Sequence, residues 1–204
     1  MHKILAFLGA CLVVIEACVD KQDNLLTAND CGSASTWAHF NNVKVYTYDT
    51  KGNPTCKKNA DQSKFEGDIQ FPGVVKVGSG TVTVNGAHSL ASSQVLFTFE
   101  KLHSVLVGKL CDDGKSHNII MPDKYCHFDF CQLIGQPFCD KLSKGGTFNI
   151  EDFPELQKPV QIPALTGPLS ILAGVVKGEW KLGGDIKVGS QQVACAVSPD
   201  IDIE

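Results

Sequence analysis

Four of the nine cysteines fall in the stretch CDDGKSHNIIMPDKYCHFDFCQLIGQPFC, residues 111 to 139, with His117 and His127 among them. Such a set could form a zinc knuckle, a thiol redox centre, or covalent staples. Cys126 and Cys131 have four residues between them, inside knuckle range; Cys131 and Cys139 have seven, and no compact histidine pair completes a tetrahedral set. Cys-x-x-Cys does not occur, so a thioredoxin-like thiol has no seat. The compartment favours staples. Residues 1–17, MHKILAFLGACLVVIEA, show a basic start at His2 and Lys3, an apolar run from Ile4 to Ile15 too short to span a bilayer, and the small Ala17. This is the pattern of a secretory signal peptide ahead of a domain over 18–204. It predicts a secreted or lysosomal-lumen setting, where disulfides persist and metal or redox use of these thiols is disfavoured. A cut after Ala17 removes Cys11 and leaves eight cysteines, with Cys18 then available to Cys56.

Catalytic constellations are not evident. Asp112 and Asp113 are adjacent, so on an extended chain their carboxylates point to opposite sides; Asp-Asp-Gly reads as a turn, not a glycosidase pair. His88, His103, His117 and His127 are scattered, and Ser79, Ser89, Ser92 and Ser93 fall in turn-like segments. Neither Gly-x-Ser-x-Gly nor His-Glu-x-x-His occurs. The expectation is a protein that is not an enzyme and needs no cofactor or metal. The net charge of −4 and the lack of a Lys/Arg cluster larger than Lys57-Lys58 argue against nucleic acid as a partner.

The elements that would carry any site are strands. NNVKVYTYDT sets Val43, Val45 and Thr47 against Lys44, Tyr46 and Tyr48, and GSGTVTVNG ends in the tight-turn pair Asn-Gly. QVLFTFEKL puts Val95, Phe97 and Phe99 on one face. GEWKLGGDIKVGSQQVACAV reads as three short strands turning at Gly183-Gly184 and Gly189-Ser190. Residues 20–40 read as polar loop, 49–64 as a long loop or a polar hairpin tip, and CHFDFCQLIG allows one or two helical turns. The pattern predicts an all-β sandwich or cup with a single core. Alternation points Val82, Val84, Val95, Phe97 and Phe99 inward, with Trp180 and Leu182 facing the same interior.

Several predicted loops are more apolar than loops need to be. Ile119, Ile120 and Met121 lie between polar residues; Leu133, Ile134 and Phe138 lie among the cysteines; Ile162, Leu165 and Leu169 lie in IPALTGPLSILAG. Together they suggest a greasy rim around a cavity, with the first two groups touching a membrane and the third covering the mouth.

From Phe65 onward the chain resembles the ganglioside activator proteins, a family of lipid-recognition β-cups. The resemblance rests on FPGVVKVGSGTVTVNG, SLASS at 89–93, FTFEKL at 97–102, GKLC ending at Cys111, KGGTFNI at 144–150, VQIPALTG at 160–167, and Cys195, in that order. It implies bridges Cys31–Cys195, Cys111–Cys126 and Cys131–Cys139, making the opening stretch a stapled rim; Cys56 pairs with Cys18 or stays free. The chain differs from the family in its longer DDGKSHNIIMPDKY loop, its insertion near 41–64, and Ala164-Leu165 in place of a tryptophan.

The resemblance implies a β-cup with an apolar cavity between two sheets. The expected partners are a lipid or glycolipid such as a ganglioside, a membrane surface touched transiently, and a β-N-acetylhexosaminidase-type hydrolase to which the lipid is presented. The predicted pocket is of several hundred Å³ and opens beside Leu165 and Leu169. The alternative is a secreted interaction or signalling protein on the same scaffold, binding a protein through the loops at 41–64 and 112–125.

Overall fold

The computed structural model of the protein describes residues 18–59, 62–104, 107–117, 122–162, 164, 177–198 and 201–203. The expected signal peptide over 1–17, and Ile119, Ile120, Met121, Leu165 and Leu169, lie outside the described residues. The chain is all-β. Its N-terminal half forms β1 (Leu25–Asp30), β2 (Ala38–Asn41), β3 (Val43–Tyr48), β4 (Cys56–Lys58), β5 (Phe65–Ile69), β6 (Gly73–Val77), β7 (Thr81–Val84) and β8 (Ser93–Lys101). Then come β9 (Lys109–Asp112), β10 (Lys115–Ser116), β11 (His127–Asp129) and the helices α1 (Phe130–Ile134) and α2 (Gln136–Leu142). The last strands are β12 (Gly146–Asn149), β13 (Val160–Ile162), β14 (Gly178–Val188), β15 (Gln191–Val197) and β16 (Ile201–Ile203).

The large sheet runs in the order β10-β9-β8-β14-β15-β1-β3-β6-β13. Its two arms meet at β1, which changes partner part-way. Leu25 to Ala28 pair with β3, while Asn29 and Asp30 pair with Val197 and Ala196 of β15. A strand that switches ladders makes a corner, and here the corner is fastened covalently: Cys31 follows at once, is bonded to Cys195, and donates its N–H to the Cys195 carbonyl at 3.1 Å. A smaller sheet, β12-β7-β2, stands beside it. Register places Phe40, Val82 and Phe148 in one row across these strands, and all three join the first core cluster.

That core also takes the helices. Asp129 caps α1 by accepting from the Gln132 N–H at 2.8 Å, and Gly135, at φ 87°, ends α1 and starts α2. α1 is the short helical segment expected within residues 126–135, and α2, just beyond it, is tied to α1 by Cys131–Cys139. Cys111–Cys126 joins β9 to the start of the β11 segment, and Cys18–Cys56 holds the segment ahead of β1 against β4. The second core gathers Leu26, Ile69, Leu110, Trp180, Ile201 and Ile203.

Two expectations are corrected. Residues 20–40 contain β1 and the start of β2, each held by its neighbours, while within 49–64 β4 pairs antiparallel with β5, as the hairpin reading of that stretch expects. Gly183-Gly184 is no turn: β14 runs unbroken through it, its backbone paired on both sides with β8 and β15. The turn at Gly189-Ser190 is present.

Candidate functional site: an apolar pocket in the bend of the sheet

Strands β8 and β14 lie side by side in register, with Val95 opposite Ile186, Phe97 opposite Gly184, and Phe99 opposite Leu182. Because strand side chains alternate, these residues share one face. Across the bend, Leu26, Ala28, Val45 and Val75 of the other arm face them, and Phe130 and Leu133 of α1 cover the side. The pocket measures about 420 Å³, has apolar walls and opens to the surface. Its size lies within the ~300–1,000 Å³ of small-molecule sites. Among the described residues, none lining it is titratable.

Aromatic contacts stiffen one wall. The Phe97 and Phe99 rings stack at 5.4 Å, and Phe128 meets Phe97 edge-on at 5.8 Å. Phe128 pairs with Val95 on β11, so it lies on the same face, yet it is 39% exposed; Leu133, which lines the pocket directly, is 54% exposed. Leu133 borders the pocket on the α1 side. A smaller apolar pocket of about 150 Å³ lies between the β12-β7-β2 sheet, the helices and the β14-β15 pair.

The predicted lining residues separate. Val95, Phe97, Phe99 and Leu182 line the larger pocket, and Val82 and Val84 the smaller one. Trp180 lines neither; it is 2% exposed, packed in the second core with Ile201 and Ile203. Ile162 likewise packs, half-buried, against that core. Of the predicted membrane contacts, Leu133 is exposed and Ile134 is half-buried against the first core. Phe138 does not reach the surface. It is 3% exposed with its ring 4.2 Å from Phe153, because α2 turns that face to the core. Sequence reasoning missed Leu26, Ala28, Val75, Phe130 and Gly184. Strand alternation could have flagged Val75, whereas Gly184 was hidden by its resemblance to a turn.

The polar candidates are engaged elsewhere. Asp112 pairs with Lys109 at 3.1 Å and Asp113 with Lys187 at 2.7 Å, so the adjacent carboxylates serve different partners. His88 stacks on Trp37 at 4.0 Å, His127 Nδ1 lies 3.2 Å from the Gly114 carbonyl, and His103 lies 3.4 Å from Glu179. Away from the pocket, burial and then a hydrogen bond to Asp20 raise the pKa of the Tyr48 hydroxyl, and hydrogen bonds from Asn53 lower that of Asp49. No helix among the described residues is long and apolar enough to cross a membrane. No model of a known protein family matches the chain, and no curated protein matches it significantly.

Proposed function

We propose that the protein is a secreted or lysosomal carrier that draws one lipid from a membrane and shelters its hydrocarbon in the larger pocket. The observation that carries this reading is the pocket itself: about 420 Å³, with apolar walls, bordered by the exposed Leu133. Such walls reward methylenes at about 0.8 kcal/mol each and penalise any polar group that finds no hydrogen-bond partner. The head group therefore stays outside. Leu133 entering a bilayer would contribute roughly 1.5–3 kcal/mol, enough for reversible contact without an anchor. The resemblance to the ganglioside activators supports a glycolipid as cargo and presentation to a β-N-acetylhexosaminidase-type hydrolase. That part rests on analogy of sequence pattern.

Solvent extraction of the purified protein, with mass spectrometry of the extract, tests the reading. A near-stoichiometric lipid, and transfer of a fluorescent glycolipid between vesicles, are expected. A protein that carries no lipid and takes up none when offered it overturns the reading.

A further inference from the structure

The two apolar pockets share a wall of three side chains. Phe40 of β2, Phe130 of α1 and Ile186 of β14 line both. Natural cores leave few voids larger than a water, and an apolar void of this kind stays dry. The smaller chamber is therefore a cost to the fold unless something apolar fills it. At ~30 Å³ per group, its 150 Å³ holds roughly five methylene-sized groups. That is too little for a second acyl chain and enough for the end of one. The wall consists of side chains, so rotamer changes can open it without displacing a strand.

We infer that the two chambers form one channel for a single hydrocarbon chain, with Phe40, Phe130 and Ile186 as the constriction that the chain end passes. The preferred ligand is then a long-chain lipid whose terminal methylenes occupy the inner chamber. This rests on the carrier reading and adds a length requirement to it. Trp37 lines the inner chamber, whereas Trp180, the chain's only other tryptophan, lines neither. The chain end therefore arrives beside a natural fluorophore.

The experiment titrates the delipidated protein with lysophosphatidylcholines of increasing chain length, some brominated at the chain terminus. Affinity rises about fourfold per buried methylene until the channel is full. Long brominated chains quench the Trp37 emission and short ones do not, with Trp37→Phe identifying the quenched residue. Val84→Phe, which fills the inner chamber from β7, brings the plateau roughly two to four carbons earlier and leaves shorter chains unaffected; Ala38→Leu, on β2, repeats the test from another strand. A long chain that binds without quenching Trp37, or a plateau unmoved in a folded variant, overturns the channel and leaves the carrier standing. A protein that binds no chain of any length overturns the carrier reading, and the channel with it.

Discussion

Gly184 lies directly opposite Phe97 across the β8–β14 ladder, on the face that lines the larger pocket. Its missing side chain is pocket volume. A Cβ there would meet Val95 Cγ1 at 3.6 Å and the Phe97 ring at 3.7 Å, ordinary contacts that force no neighbour to move. Gly184→Val should therefore leave the melting temperature unchanged or raise it, since valine suits a strand better than glycine. Lipid uptake should fall on the order of tenfold, from room lost for one or two methylenes. Paired calorimetry and fluorescent fatty-acid titration check this. Unchanged affinity in the stable variant would show that hydrocarbon does not occupy this face.

Leu133 and Phe138 belong to consecutive helices and have opposite roles. Leu133 is 54% exposed beside the pocket; Phe138 is 3% exposed among core rings. Leu133→Asp should alter stability by no more than about 0.5 kcal/mol, as for an ordinary surface change. It should weaken binding to vesicles by roughly 1.5–3 kcal/mol, the value of one inserted leucine. Phe138→Ala should cost ~3–5 kcal/mol of stability. Vesicle sedimentation and chemical denaturation separate the two. A Leu133→Asp protein that melts early yet still binds vesicles would make that residue a core cap.

The strand alternation of Val95, Phe97 and Phe99 was legible because one face is buried and the period of two is clean. The disulfide pairs implied by the resemblance are formed, since the positions it matched flank the corner and the rim. What local sequence concealed was non-local. Residues 20–40 read as polar loop because Asn, Asp and Ser surround β1, whose strand conformation rests on pairing in halves to two different ladders. Gly183-Gly184 reads as a turn because local propensity cannot see that β8 and β15 hold it straight on both sides. Phe138 reads as rim because its spacing from the cysteines says nothing of which way α2 faces. Leu26 and Phe130 enter the pocket wall through tertiary packing alone.

Cys31–Cys195 spans a separation of 164 residues at the corner where β1 changes ladders. The chain-entropy model assigns a loop of that length about 5 kcal/mol, and removal of native bridges typically costs ~2–5 kcal/mol. The double variant Cys31→Ser with Cys195→Ser should be the least stable of the single-bridge deletions. Cys131–Cys139, separated by 8 residues, should cost less by the same model. Denaturant midpoints for the bridge deletions check the order. An inverted order would show that local packing around α1 and α2, and not loop closure, decides what each bridge contributes.

Tyr48 donates its hydroxyl proton to Asp20 Oδ1 at 2.9 Å and is 7% exposed at the end of β3. Burial first, then this hydrogen bond, raises its pKa above the ordinary 10.0. A group whose folded pKa is raised contributes stability that is fully present below the unfolded pKa and lost as pH rises through the folded one. The protein should therefore lose stability above pH 10, where the unfolded tyrosine releases its proton before the folded one does. Tyr48→Phe keeps the buried ring but removes the titration. It should lower stability at neutral pH by about 1.5–3 kcal/mol, as for a hydrogen bond to a charged acceptor. It should also flatten the alkaline decline. Ultraviolet titration gives an independent reading: a step later than that of a free tyrosine should be present and should vanish in Tyr48→Phe. If Tyr48→Phe removed no late step, the hydrogen bond to Asp20 would carry no weight in solution.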